Sequence, residues 1–354
     1  MTKLLIVDDS ALMRRQLAKL FETEAGFEIR LARNGAEAVR ENMTFQPDVI
    51  TLDINMPEMD GLTALSEIMV ERPTSVVMVS SLTEKGALAT FEALALGAVD
   101  YLAKPDGTIS LSIDEIGGEL VRKVRAAARA RLKRSGNLRR EAAAERVRPT
   151  KPLHRTPRGN VGEGLVLIGV STGGPRTLED ILPKLPGDFP WPILVAQHMP
   201  AAFTQPFANR MNDLCALNVV EASKPTSLEA GTVYIAKGGA DMVVTSRSGQ
   251  LGVLLRPESS QHLWHPSVEL LGQSALQHCP AEQIIGVMLT GMGNDGAEAF
   301  ATIKKQGGRT IAESEESAVV FGMPAELINR GGASLVMPAD RIAMQLTTWS
   351  ERVY

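Results

Sequence analysis

Val49-Ile50-Thr51-Leu52-Asp53-Ile54-Asn55-Met56-Pro57-Glu58-Met59-Asp60-Gly61 is an apolar run that ends on a carboxylate and then breaks into a turn. Outward from it, Lys3–Val7, Glu28–Ala32, Ser75–Ser80 and Asp100–Lys104 read as further short strands, each separated from the next by a segment of helical period. Five strands alternating with helices predict a parallel sheet with both faces covered. Pro57 and the Asp60-Gly61 pair then fall in a loop at the strand ends.

In such a sheet, functional groups collect where the strands end. The first strand ends in Asp8-Asp9, the third in Asp53, the fourth in Ser80-Ser81 and the fifth in Lys104-Pro105. Three carboxylates at one sheet edge repel unless a cation joins them, and an all-oxygen, water-accessible donor set suits Mg²⁺. Lys104 adds a fixed positive charge and Ser80 a hydroxyl. The set can hold a phosphoryl group on Asp53, with the metal and the lysine neutralising its oxygens. Taken singly, an aspartate at a strand end is a helix cap or turn residue. In this chain order the residues resemble a two-component receiver domain, through Asp8-Asp9, the Asp53–Gly61 stretch, Ser80 and Lys104-Pro105. The resemblance implies Asp53 as phosphoacceptor from a histidine kinase and Asp9 as Mg²⁺ ligand with Asp8 assisting. It further implies a main-chain metal ligand at Asn55, Ser80 and Tyr101 as switch residues beside Lys104, and a cis peptide before Pro105.

Alternation resumes downstream. Leu165–Val170, Ile193–Gln197, Ile284–Leu289 and Arg309–Ala312 read as strands followed by helical stretches, and Val243–Thr245 and Leu251–Leu255 flank Ser246–Gln250 as a hairpin. The first of these strands runs into Ser171-Thr172-Gly173-Gly174-Pro175, a glycine-rich turn that can present a serine hydroxyl and hold an oxyanion, or cradle a phosphate. The second strand runs into His198 and the third into Thr290-Gly291-Met292-Gly293-Asn294-Asp295-Gly296. Ser, His and Asp at three strand ends can converge as a triad. Their order, Ser171…His198…Asp295, is not that of the α/β-hydrolases, and no P-loop Lys-Ser/Thr follows the glycines. Ser171–Pro175, Gln197–Pro200, Leu289–Gly296 and Val320-Phe321-Gly322-Met323-Pro324 resemble the chemotaxis protein-glutamate methylesterases. That resemblance implies hydrolysis of glutamate γ-methyl esters on membrane chemoreceptors, with release of methanol, and deamidation of receptor glutamines. Ser171 would be the nucleophile, His198 its base and Asp295 the orienting acid. Thr172, Gly173 and Met292 would lie at the oxyanion site, with no cofactor for the ester chemistry. Phosphorylation of Asp53 would activate the esterase.

The expected fold is α/β with two doubly wound parallel-sheet domains: a flavodoxin-like receiver over 1–134 and a Rossmann-like domain with a hairpin insertion over 164–354. Between them, 135–163 reads as a basic flexible linker. Of 354 residues 44% are hydrophobic and 22% charged, which excludes a disordered or fibrous chain, and two cysteines are too few for a disulfide framework or a four-ligand zinc site. No apolar run approaches the roughly 20 residues of a membrane span. The start of the chain lacks the pattern of a signal peptide, so a cytoplasmic location is expected. The net charge of −4 conceals an island, for residues 122–158 hold fourteen Lys or Arg against Glu141 and Glu145. A basic island can be a nucleic-acid footprint or a solvated linker. Its first part has a helical apolar spacing (Ile116, Leu120, Val124, Leu132), and prolines follow at 149, 152 and 157. A DNA-binding regulator would need a compact helix-turn-helix after the receiver, which the interleaved strands do not offer. No nucleic-acid partner is expected, and contact with the membrane only through receptor arrays. Five positions depart from the methylesterase pattern: Lys237 in place of proline, Asp241 of histidine, His265 and Glu269 of Arg and Asp around Pro266-Ser267-Val268, and Glu313 of glutamine. A paralogue serving a non-standard receptor array is the alternative they raise.

Overall fold

The structure, a computed structural model, describes residues 1–81, 83–104, 109–130 and 164–351. The chain divides into two compact units, Met1–Ser135 and Gly136–Tyr354. The expected linker 135–163, the peptide before Pro105 and Leu132 lie outside the described residues.

In the first unit, β1 (Thr2–Val7), β2 (Phe27–Ala32), β3 (Val49–Asp53), β4 (Ser75–Ser81) and β5 (Asp100–Lys104) form one sheet in the order β2-β1-β3-β4-β5. Every pairing is parallel. Helices α1 (Ala11–Glu22), α2 (Gly35–Thr44), α3 (Gly61–Glu71), α4 (Glu84–Leu96) and α5 (Ile109–Ala127) connect or follow the strands. Leu4, Leu5 and Ile6 of β1 and Ile50 and Leu52 of β3 are fully buried, as strands covered on both faces must be. The polar residue ahead of each of the first four helices caps it: Ser10, Asn34, Asp60 and Thr83 accept from the amides of Met13, Glu37, Thr63 and Gly86. The strand order reverses between β1 and β3, so the crevice at their carboxyl ends falls where Asp8-Asp9 and Asp53 stand.

The second unit has a seven-stranded parallel sheet. Its strands are β6 (Leu165–Val170), β7 (Ile193–Gln197), β8 (Asn218–Ala222), β10 (Thr232–Ala236), β13 (Ile284–Met288), β14 (Arg309–Glu313) and β15 (Leu335–Met337), in the order β15-β14-β13-β6-β7-β10-β8. A separate antiparallel sheet pairs β11 (Ala240–Arg247) with β12 (Gln250–Pro257) and the short β9 (Thr226–Ser227). The hairpin is longer than its apolar residues suggest. Its turn is only Ser248-Gly249, both at positive φ (52° and 82°), the two-residue geometry that matches the strand twist. The helices are α6 (Gly174–Ile181), α7 (Ala201–Leu214), α8 (Val268–His278), α9 (Ala297–Lys305), α10 (Met323–Asn329) and α11 (Ala339–Glu351). Leu165, Leu167, Leu194, Leu271, Ile284 and Phe300 belong to one core that α8 and α9 close over the sheet. Strand order reverses at β6, which has β7 on one side and β13 on the other. The loops after these three central strands therefore meet at one crevice.

Candidate active site

Ser171, His198 and Asp295 follow those three strands. The register pairs Val170 with Gln197, so Ser171 and His198 are the first residues beyond a matched pair. Three backbone contacts fix the approach: His198 N donates to Val170 O (3.1 Å), Ser171 N to Thr290 O (3.0 Å), and the Gln197 side-chain amide to Ser171 O (3.0 Å). The turn after Ser171 can only be glycine. Gly173 has φ +79°, and a Cβ there would lie 2.6 Å from that of Val319.

His198 Nε2 donates to Asp295 Oδ2 at 2.9 Å. An ionised carboxylate only accepts, so this contact places the ring proton on Nε2 and leaves Nδ1 as the lone-pair nitrogen. Nδ1 is buried and has no hydrogen-bond partner among the described residues, and Ser171 Oγ likewise makes none. The ring thus carries a base without a proton on the nitrogen opposite its carboxylate, one residue beyond the strand pair that carries the serine.

Asp295 is held from a second direction. Its Oδ1 accepts from Ser267 Oγ (3.1 Å) and Glu269 N (3.0 Å), and its Oδ2 from Val268 N (2.7 Å) besides His198. These donors are the N-terminus of α8, whose unpaired amides and dipole favour a negative charge. Burial pushes the Asp295 carboxyl upward, but the His198 ring and the two amides outweigh it and hold it below the usual carboxylate range. It is an ionised acceptor at neutral pH.

The oxyanion candidates flank the serine. The Met292 amide has no acceptor among the described residues, while Gly291 on its amino side is bonded on both backbone groups, to Val320 O and from the Gly322 and Met323 amides. Thr172 is buried, and its carbonyl accepts from Thr290 Oγ at 2.8 Å. Glu313, where glutamine is expected, is wholly buried and accepts from Thr290 N (2.8 Å) and Ser317 Oγ (2.7 Å). It anchors the loop from behind.

Sequence reasoning missed the partners of Asp241. Asp241 on β11 is fully buried; His265 Nδ1 donates to its carboxylate (2.9 Å to Oδ2) and Ser267 N donates to Oδ1 (2.7 Å). Two of the departures from the family pattern are therefore one pair. Asp241→Ala would leave the buried Ser267 amide and the partly buried His265 ring without an acceptor, and is expected to lower the unfolding free energy by about 2–4 kcal/mol. Urea unfolding checks this; a loss under about 0.5 kcal/mol would mean that the pair contributes nothing to the fold. Glu269 accepts from Gln273 Nε2 and Ala299 N, and Lys237 is half-buried just after β10.

The first unit places its own residues together. Carboxylate oxygens of Asp8, Asp9 and Asp53 lie within 4.8 Å of one another, and Lys104 Nζ is 2.9 Å from both Asp8 Oδ2 and Asp53 Oδ2. Asp8 and Asp53 are buried, Asp9 and Asn55 exposed. Burial pushes the Asp53 carboxyl up and Asp8 adds to the rise, against Lys104 and the Ile54 amide. Burial also works against the Lys104 charge, but Asp53 and Asp8 outweigh it and hold the ammonium above its ordinary value. Three crowded carboxylates with one lysine are short of positive charge, and a hard divalent cation fits that donor set. Ser80 Oγ donates to Gly86 O (3.2 Å), and the buried Tyr101 ring lies under Lys123 Nζ at 5.3 Å.

Both units match known families. A family model described as CheB methylesterase matches residues 166–346, and one described as response regulator receiver domain matches residues 4–112. A protein named protein-glutamate methylesterase/protein-glutamine glutaminase 3 from Rhodospirillum rubrum is 58% identical over 359 aligned residues, covering 99% of this chain and 97% of the relative. A relative of the same name, numbered 2, from Carboxydothermus hydrogenoformans is 50% identical over 349 residues, 96% of this chain and 97% of its own. The crystal structure of the Thermotoga maritima CheB methylesterase catalytic domain is 39% identical, with a TM-score of 0.51 over 53% of this chain and 99% of that one.

Proposed function

This chain belongs to the CheB methylesterase family, and from that premise we propose that it hydrolyses glutamate γ-methyl esters on chemoreceptors, and deamidates receptor glutamines, under control of phosphorylation at Asp53. The observation that carries the reading is the His198–Asp295 pair, with Nδ1 left without a partner among the described residues, on a ring one residue beyond the strand pair that leads into Ser171.

The chemistry follows from that geometry. Ser171 Oγ attacks the ester carbonyl as its proton passes to His198 Nδ1, and Asp295 stabilises the imidazolium so formed. The carbonyl oxygen takes up negative charge, which the amides near Met292 and Gly173 can hold. His198 returns the proton to the methoxy oxygen as its bond to carbon breaks, and methanol leaves an acyl-serine. Water then attacks, with its proton going to His198 and back to Ser171 Oγ, and the glutamate carboxylate is released. With a glutamine side chain the same steps expel ammonia. No step calls on a cofactor.

In the receiver, Asp53 accepts the phosphoryl group from a histidine kinase, with Lys104 beside it and Ser80 and Tyr101 as the switch pair. Mg²⁺ would be held by Asp8, Asp9, Asp53 and the Asn55 carbonyl, and would supply charge neutralisation during the transfer. A phosphoryl group adds about −1.5 to −2 charge, enough to bias a domain between two packings. With a small phosphodonor and Mg²⁺, the full chain is expected to release methanol faster, and Asp53→Asn to abolish that stimulation while keeping the basal rate. A variant still stimulated would move the phosphoacceptor elsewhere. Among the described residues no helix is long and apolar enough to cross a membrane, and we place the enzyme in the cytoplasm, meeting the membrane only through its receptors.

The test of the activity itself is methanol release from methylated receptor membranes. Absence of release, with and without phosphodonor, would sink the reading. Asp241, His265 and Glu269 gather around the Asp295 side of the site, which favours a second reading in which the substrate is a receptor of a non-standard array. Receptor preparations from distinct arrays separate the two.

A further inference from the structure

The Trp264 indole lies parallel to the His198 ring, with an interplanar angle of 2° and centroids 5.6 Å apart. Its other close neighbour is the Gly293 backbone: at φ +95° this residue has no Cβ, and one placed there would come within 2.8 Å of the indole Cζ2. A larger residue at 293 would drive the indole away from the ring. The segment bearing Trp264 is tied down on both sides. His265 and the Ser267 amide bind Asp241 on β11, and Ser267 Oγ with the Val268 and Glu269 amides binds Asp295. One short turn therefore grips the carboxylate that orients His198 and lays an aromatic face on the same imidazole.

An indole face attracts cations, and an imidazole stacked on it becomes a cation when it takes the serine proton. We propose that Trp264 is a positioning residue for the ester hydrolysis, holding the His198 ring in the plane that keeps Nε2 on Asp295, and stabilising the imidazolium of the transition state. The Asp241–His265 pair fixes the turn that presents it. The inference rests on the esterase reading. Among the charged groups of this turn and its partners, Asp295 bonds the ring directly, Asp241 and His265 are paired with each other, and Glu269 is engaged by Gln273 and Ala299.

The experiment is methanol release against pH in the full chain, for the wild type, Trp264→Phe and Trp264→Leu. Leucine keeps apolar bulk without a π face, and is expected to lower kcat by about 2- to 30-fold with KM little changed; phenylalanine should cost less. Loss of the face disfavours the imidazolium, so the acid limb of the kcat/KM profile should move to lower pH in the leucine variant. A purely structural role would lower the rate without moving that limb. Indole emission gives a second readout that needs no turnover, because an imidazolium quenches a stacked indole. A step in emission with pH should be present in the wild type and lost in both His198→Ala and Trp264→Phe, leaving Trp191 and Trp349 as the background. An unmoved acid limb, a loss confined to KM, or an emission step surviving His198→Ala would overturn the proposal. No methanol from the wild type would instead overturn the esterase reading and leave the emission step to decide the contact.

Discussion

Ser171→Ala is expected to lower methanol release by about 10⁴–10⁶-fold while leaving the melting temperature within a degree or two of the wild type. The two halves of that expectation come from different atoms. All contacts fixing this turn use the Ser171 backbone: its amide donates to Thr290 O, and its carbonyl accepts from the Gly174 amide and Gln197 Nε2. Alanine keeps all of them. The hydroxyl makes no hydrogen bond among the described residues, so its removal leaves no buried group unsatisfied. What goes is the only atom that can form the acyl intermediate, and the residual rate would be that of water attacking an ester held in the oxyanion site. A stable variant with a tenth of the wild-type activity would remove Ser171 from the nucleophile role. A large loss accompanied by unfolding would leave the assignment to His198 and Asp295.

The same contrast between strand ends and distant segments decides what the sequence discloses. Strands that alternate with helices, such as β3, β6 and β7, are legible because each is a short apolar run ending in a polar or glycine-rich turn. Their ends carry Asp53, Ser171 and His198, and the positions of these residues follow. Strands β8 and β10 escape that reading. They pair in parallel, yet the segment between them holds β9 in place of a helix, so the alternation that marks the other strands is missing. Asn218 and Glu221 further dilute β8, which lies at the sheet edge. Strand β15 has only three residues. In the site, Asp295 is legible at a strand end, but its clamp is not. Ser267, Val268 and Glu269 reach it from a helix start 26 to 28 residues away in sequence, after a hairpin that belongs to another sheet. The Asp241–His265 bond is hidden for the same reason, and each partner alone is only an unusual residue. Physical pairing turns two departures into one exchange of an acid and a base.

The second large effect is expected at Asp295. Asparagine is an ambiguous probe, because its amide could keep an oxygen toward His198 Nε2 and turn its NH₂ toward Ser267 Oγ. Alanine removes the acceptor outright. Without it nothing fixes the proton on Nε2, the lone pair is no longer reserved for Nδ1, and the imidazolium forms without a counter-charge. Asp295→Ala should therefore lower methanol release by about 10³–10⁴-fold. It also strands the Val268 and Glu269 amides and the Ser267 hydroxyl at the start of α8, at a cost of about 2–4 kcal/mol in unfolding free energy. The pH dependence separates this cost from a simple packing loss. The folded carboxyl is held below its unfolded value, so the stability it contributes is complete above the unfolded carboxylate pKa, near 4, and is lost as pH falls through the folded one. The gap between wild type and Asp295→Ala in urea unfolding should accordingly be largest at neutral pH and narrow in acid. A gap that stays constant down to about pH 3 would show that the aspartate acts there as a neutral filler and not as a charged anchor. The methanol assay would then have to find the orienting group for His198 elsewhere.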